Sequence, residues 1–395
     1  MRIKSFITNV FAVILVFFYI FRPQILHPLL STALLPAAIG FVFFLLSKNT
    51  RQLLWQRTGC LFWLCLFFIL SWSIIIDLST GGISNAGARS FTISNIRFLI
   101  VSVFGGVCIS LFLSEGCKFQ LLKWMLNATL LQVFIGLCML IVPEFKRFVY
   151  VNISGYTGSE KIFYDWFFYT RIFGWSEELF YLAPVFMSFI LTFFYFSKSS
   201  IKVVLFYFIS ISIALMNARL AILGLLWGAF SRIGVLKTIK VVAVITPVII
   251  FLVTLFFNDN PIYDLIFSEF YGGRSRTLDI LIQDHLIWLG SGFEDVILGP
   301  MTYVHAGERD VTVDIGWLII ANFGGLPYLL FWTLLIATIC DKSFSTVQMK
   351  LIAFCFVSLL AFKGLFFTSN SIINMLIAFS LVGGVSNEFL VKRKL

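Results

Sequence analysis

Charge is scarce in this chain. Asp, Glu, Lys and Arg together make up 12% of 395 residues, and histidine occurs three times. A soluble domain carries about twice that share of charge, so a water-exposed globular fold is excluded. Alternation of polar and apolar residues at period two is also missing, which excludes a transmembrane β-barrel. No P-loop and no GxGxxG pattern occurs, and the connections predicted on the inner side, about ten residues or fewer, are too short for a nucleotide-binding domain. The seven cysteines (Cys60, Cys65, Cys108, Cys117, Cys138, Cys340, Cys355) show no CxxC or His/Cys metal spacing, and none falls in a predicted outer loop. Neither a disulfide nor a zinc site is expected.

What the chain has in abundance is apolar length. It is 60% hydrophobic and 18% aromatic, with a mean hydropathy of +0.99. A bilayer core of about 30 Å takes roughly 20 apolar residues per helix, and lipid offers no water to unpaired backbone groups. The chain therefore reads as an all-α polytopic integral membrane protein, a single membrane domain over 1–395. Spans are predicted near 5–21, 25–46, 59–76, 96–114, 122–142, 179–196, 201–216, 219–231, 241–257, 315–338, 351–367 and 371–388, about 12 transmembrane helices. The opening MRIK and its apolar run carry no small-residue cleavage site before Arg22-Pro23, so this segment is expected to be an uncleaved first span.

Basic residues set the orientation. With both termini cytoplasmic, the inner segments hold 17 of the 29 Lys and Arg and three of the 19 acids, leaving 12 bases and 16 acids outside. The net +10 is thus a topology signal, and no nucleic-acid partner is implied. Two outer loops are long, 143–178 and 258–314. Their content of Trp, Tyr, Phe and Ile argues for order. In the first, IFYDWFFY (162–169) is either an interfacial aromatic belt or a surface for sugar or lipid. Arg171 and the pair Glu177-Glu178 follow; they serve either as a salt bridge capping the next span or as part of a site. In the second, Leu278, Leu281, Ile282, Leu286 and Leu289 recur at helical spacing, so 276–289 is predicted as an amphipathic helix on the membrane surface. Gly272-Gly273 ahead of it, with Arg274 and Arg276, suits an anion at a helix N-terminus. His285 and His305 read as ordinary polar residues.

One further arginine interrupts an apolar run. The stretch from Ile201 to Phe230 is too long for one span, so two short helices are predicted with their tip at Asn217-Ala218-Arg219, pointing outward. A charge at membrane depth costs about 2.5–3.5 kcal/mol on insertion scales and marks a functional site by default. Arg219 either snorkels to headgroups or meets an anion, for which its planar fork is suited.

The order of these features resembles the bacterial O-antigen polymerase and O-antigen ligase superfamily. The likeness rests on TRIFGWSEELFYLA (170–183), MNARLAILG (216–224), GGRSRTLDI (272–280) with LIWLGSGF (286–293), and DIGWLIIANFGGLPYLLFW (314–332), and it covers the chain from about Arg171 to Trp332. Leu179 stands where the family's glutamate-proline pair has its proline, and Asp314 stands where ligases carry a histidine eleven residues before Gly325. That substitution places the chain nearer the polymerases. The resemblance implies a glycosyltransferase C-like membrane fold in the bacterial cytoplasmic membrane with its active site facing the periplasm. It implies transfer of a glycan from undecaprenyl diphosphate to the next lipid-linked oligosaccharide repeat, as part of surface polysaccharide (lipopolysaccharide) biosynthesis. Arg219, Arg274, Arg171 and Arg276 would hold the diphosphate, and Asp314 or Glu178 would take the hydroxyl proton. No metal or other cofactor is expected. The partners are the lipid-linked substrate and the bilayer, with a chain-length-determining membrane protein as a candidate. The alternatives are an O-antigen ligase and, in another class, a lipid-linked oligosaccharide flippase or secondary transporter. Against the last, Asp77, Glu144, Asp259, Asp314 and Asp341 all fall at or beyond the predicted span ends.

Overall fold

Among the described residues, the apolar runs are helical. A computed structural model describes residues 2–23, 31–79, 91–113, 118–149, 172, 174–176, 182–195, 200–244, 316–363 and 369–385, and among these there is no strand, only isolated bridge residues. The helices are α1 (Arg2–Phe21), α2 (Leu34–Leu46), α3 (Lys48–Thr58), α4 (Cys60–Ser79), α5 (Phe91–Arg97) continuing through a π-helical stretch (Phe98–Phe104) into α6 (Gly105–Leu111), α7 (Lys118–Ile141) and α8 (Pro143–Phe148). They continue with α9 (Leu182–Tyr195), α10 (Ile201–Asn217), α11 (Ala221–Ile233), a helical stretch over 235–244, α12 (Gly316–Ser343), α13 (Val347–Leu360) and α14 (Ser371–Leu381).

Among the described residues, four segments are long and apolar enough to cross a bilayer: Cys60–Leu78, Thr92–Leu111, Lys118–Ile141 and Phe323–Ser343. Seven shorter apolar helices accompany them, an arrangement consistent with a multi-pass helical membrane protein. Of the second predicted span, 25–46, the described part is helical from Leu34, just after the Thr32 amide bonds the Pro23 carbonyl. Two elements differ from expectation. Residues 48–58, read as a plain connection, form the polar helix α3, started by Ser47, whose side chain accepts from the Thr50 amide. The first long loop opens with α8, which has Pro143 at its first position, Glu144 in its first turn and Lys146 and Arg147 in its last, matching the helix dipole.

Two helices form the centre. Every residue of α14 is buried, and so is α9 from Leu182 to Phe193; a helix apolar all round is stable only when neighbours cover all of it. α14 packs against α1, α6, α9 and α12, and α9 packs most extensively on α11. The α9–α11 contact is close because Gly224 and Gly228, one turn apart, face the backbone of α9. A Cβ at 224 would collide with the Val185 carbonyl oxygen, and one at 228 would stand 2.8 Å from the Phe189 carbonyl oxygen. On the other side, α12 packs on α4 through the stacked rings of Phe68 and Phe331, 3.7 Å apart, and a Trp72 Nε1–H bond to the Gly324 carbonyl at 2.9 Å. α12 breaks at Gly325, whose φ is 70°, just ahead of Pro327.

The bundle has two chemically distinct ends. At one, Lys118 Nζ donates to the Gly383 carbonyl at 2.7 Å, Arg57 lies against Gly383, Lys342 approaches Gly59, and Lys350 pairs with Asp341 at 2.7 Å. Lys118 and Arg57 thus sit just past the C-terminus of α14, the favourable pole of its dipole for cations. The four belong to the basic set that the sequence places on one face. The other end holds buried neutral donors and acceptors together with Arg22, Asp77 and the Arg219 turn.

Candidate functional site

The apolar run 201–233 breaks where its length requires. α10 ends at Asn217, residues 218–220 turn, and α11 begins at Ala221, with amides 221 and 222 bonded back to carbonyls 218 and 219. At about 1.5 Å per residue the two helices measure roughly 25 and 20 Å, each short of a hydrocarbon core of about 30 Å. Arg219 stands exposed at the turn, flanked by the buried Asn217 and Ala218.

A piece of the first long loop is seated beside this turn. The Ile172 amide donates to the Met216 carbonyl at 3.4 Å, and the buried Ile172 side chain reaches toward Gly136 of α7. Gly174 takes a left-handed φ of 62° that brings its backbone against the Gln132 side chain, and the Trp175 amide donates to Gln132 Oε1 at 3.2 Å. Gln132 is buried, and its Nε2 has no hydrogen-bond partner among the described residues. Trp175 also meets Phe17 edge-on at 6.2 Å, and Ser176 Oγ donates to the Phe21 carbonyl at 3.1 Å. Residues 172 and 174–176 are thus pinned to α1, α7 and the end of α10. On the same side of α7, burial lowers the pKa of Lys146 in α8 by stripping water from its ammonium.

The end of α1 explains why so many polar residues collect here. Pro23 has no N–H, so the ladder ends with the Arg22 amide and the carbonyls of Tyr19, Ile20 and Phe21 need other donors. The Arg22 amide serves Phe18 at 3.1 Å, Asn374 Nδ2 serves Tyr19 at 2.6 Å, Ser371 Oγ serves Ile20 at 2.8 Å, and Ser176 Oγ serves Phe21. Asn374 Oδ1 in turn accepts from Ser102 Oγ at 2.6 Å and Ser369 Oγ at 3.4 Å. The Tyr19 hydroxyl lies within reach of two carbonyls, Ser102 at 2.7 Å and Asn374 at 2.9 Å. Arg22 is only 3% exposed and holds a left-handed φ of 49°, with Nη1 donating to the Ser369 carbonyl at 2.5 Å. That backbone costs a non-glycine residue about 1–2 kcal/mol and persists because the contacts around it over-determine it.

Asp77 lies in the last turn of α4, at the end of that apolar segment; it is 3% exposed, and its Oδ2 accepts from the Thr92 amide at 3.0 Å. That amide belongs to the first turn of α5, whose unpaired N–H groups and dipole favour a carboxylate. Nearby, Asn95 Nδ2 donates to the Tyr328 hydroxyl at 2.8 Å, tying α5 to α12 just past its break.

Of the predicted site residues, Arg219 is described. Arg171, Glu178, Arg274, Arg276 and Asp314 lie outside the described residues, as do the predicted helix 276–289, the whole of the loop 258–314, His285 and His305. Arg22 and Asp77 were not predicted. The signal for Arg22 was an arginine placed directly before proline at the end of an apolar run; for Asp77 it was an acid one residue past the predicted span. No family model, no curated protein and no solved structure matches the chain.

Proposed function

We propose that the chain is a lipid-diphosphate-dependent glycosyltransferase, an O-antigen or related surface-polysaccharide polymerase. It transfers a growing glycan from undecaprenyl diphosphate to a sugar hydroxyl on the next lipid-linked repeat. In this reading the end rich in Lys and Arg faces the cytoplasm of the inner membrane, and the Arg219 end faces the periplasm. One observation carries the reading: the break at 218–220 presents an exposed guanidinium between two helices too short to cross the membrane, beside an anchored piece of the first long loop. The motif resemblance supplies the substrate class.

The chemistry needs charge neutralisation above all. As the acceptor hydroxyl attacks the anomeric carbon, the bond from that carbon to the phosphate oxygen breaks, and negative charge grows on the departing lipid diphosphate. Arginine forks aimed at that charge lower the barrier, and one such electrostatic contact is worth about 10²–10³ in rate. Arg219 has this role, joined by Arg171, Arg274 and Arg276. Asp314, or Glu178, accepts the hydroxyl proton.

The test is the surface glycan of a deletion strain complemented with variants and run on a gel. Loss of the gene should leave a single repeat per lipid core; cores with no repeat would indicate a ligase, and absence of outward lipid-linked repeats a flippase. Arg219→Ala should give the single-repeat pattern while the protein still inserts, and Arg219→Lys nearly so, because an ammonium cannot form the bidentate fork. Normal chain lengths from both variants would remove the diphosphate role.

A further inference from the structure

At the end of the bundle opposite Arg219, the polar helix α3 and the adjoining ends of α2 and α4 enclose a groove of about 630 Å³. Its walls divide by chemistry. Phe44, Trp55 and Trp63 give an apolar lining, with the two indole rings stacked 6.3 Å apart and 9° from parallel. Lys48, Arg51 and Gln52 give an edge of donors, all three exposed. No described residue lining the groove is acidic, and α3 as a whole carries Lys48, Arg51 and Arg57 without one Asp or Glu. Cations near the first turn of a helix sit at the unfavourable pole of its dipole, so the local field is strongly positive and nothing on the helix offsets it.

The neighbours of the groove are lipid-like in composition. Phe43 and Leu46 at the end of α2 are 47% and 80% exposed, and Leu64 on α4 is 53% exposed. Trp63 has its polar handle satisfied, Nε1 donating to Thr58 Oγ1 at 2.9 Å, which leaves its ring as apolar surface. Arg51 Nη1 closes the end of α2 by donating to the Leu45 carbonyl at 2.6 Å and the Phe44 carbonyl at 3.2 Å. A guanidinium has five N–H donors, so capacity for an anion is left.

An apolar slot bordered along one edge by cations and an amide suits a molecule with a hydrocarbon tail and an anionic head. We propose that this groove is a docking site for an anionic phospholipid. The phosphate meets Lys48, Arg51 and Gln52, and an acyl chain lies along Phe44 and Trp63. The apolar lining decides against a free inorganic anion, which would use the donor edge alone. The site is separate from the Arg219 turn and does not depend on the proposed transferase activity.

The experiment uses the full-length protein, delipidated in detergent and titrated with phosphatidylglycerol or phosphatidylcholine under native mass spectrometry. Phosphatidylglycerol should bind at least about fivefold more tightly than phosphatidylcholine, and Lys48→Glu should erase most of that preference. Both Lys48→Glu and the milder Lys48→Gln lie on an exposed position, and each is scored only as a monodisperse peak on size exclusion. Brominated phosphatidylglycerol should quench tryptophan emission, with the quenched fraction reduced in Trp55→Phe and Trp63→Phe. Equal binding of the two lipids, unchanged preference in both Lys48 variants, or full displacement of phosphatidylglycerol by millimolar inorganic phosphate would each overturn the proposal.

Discussion

Replacing Gly224 with alanine should destabilise the protein even though alanine is the better helix former. In an exposed helix that change is favourable by about 1 kcal/mol. Here the new methyl would collide with the Val185 carbonyl oxygen and sit 2.8 Å from its carbon and 3.0 Å from the Val185 Cα. All three are backbone atoms of α9, so no rotamer change relieves the contact, and the helices must move apart along their whole interface. Overpacking costs about 1–3 kcal/mol, and a collision with backbone belongs at the upper end of that range. Subtracting the propensity gain leaves a net loss of about 2 kcal/mol, roughly thirtyfold in the ratio of folded to unfolded protein. Reversible unfolding from mixed micelles by dodecyl sulfate measures it. Tryptophan emission is a suitable probe, because Trp227 packs 4.7 Å from Phe189 and parallel to Phe356 in the same region. Ile222→Ala, on the 53% exposed face of α11, is the control and should change stability by no more than about 0.5 kcal/mol. If Gly224→Ala is as stable as the parent or more so, the close approach of α9 and α11 is wrong.

Three further outcomes follow from the polar end. Asn374→Leu removes the cap on Tyr19 and the acceptor of Ser102, two interhelical bonds of about 0.6–1.7 kcal/mol each, so a loss of roughly 1–3 kcal/mol is expected in the same unfolding assay. Asp77→Asn keeps an oxygen for the Thr92 amide and should be milder than Asp77→Ala, which orphans that buried amide at about 1–3 kcal/mol; equal effects of the two would deny Asp77 its role at the start of α5. Gly174→Ala combines a left-handed backbone with a collision against Gln132, so it should release residues 172–176, seen as faster limited proteolysis near Trp175 at unchanged micellar stability of the helices.

The break between α10 and α11 was legible because the signal is redundant. From 201 to 233, apolar length, flanking lysines and the span limit all demand one break, and it falls at 218–220. The close contact that Gly224 and Gly228 allow was not read from the sequence, which does not say which helix approaches; α9 is chosen by shape. α3 escaped notice because its residues, KNTRQLLWQRT, have neither the length nor the apolar content of a span and read as a charged connection. The pairing of loop residues 172–176 with Gln132 and Met216 was also illegible, since it depends on one amide side chain and one backbone carbonyl that carry no pattern.

The buried polar end illustrates why hydropathy locates spans better than it locates sites. Hydropathy sums side chains, whereas the need for polar partners at the end of α1 comes from the backbone. The carbonyls of Tyr19, Ile20 and Phe21 lose their ladder from Pro23 onward, and in an apolar surrounding each must find a donor. Asn374, Ser371 and Ser176 supply these donors, and all three side chains belong to segments distant in sequence from α1. Read one residue at a time, each is a mild interruption of an apolar run. Taken together they are the consequence of ending a helix in a place without water. The same need puts Arg22 in a strained conformation and holds the 172–176 segment down on the bundle. A proline-to-alanine change at position 23 separates this account from a merely decorative cluster. It restores an N–H that can serve the Tyr19 carbonyl, so Asn374→Leu should cost less in a Pro23→Ala background than in the parent, by about the worth of the one replaced bond, roughly 0.6–1.7 kcal/mol. Strict additivity of the two substitutions in the micellar unfolding assay would show that the cap geometry does not govern this end.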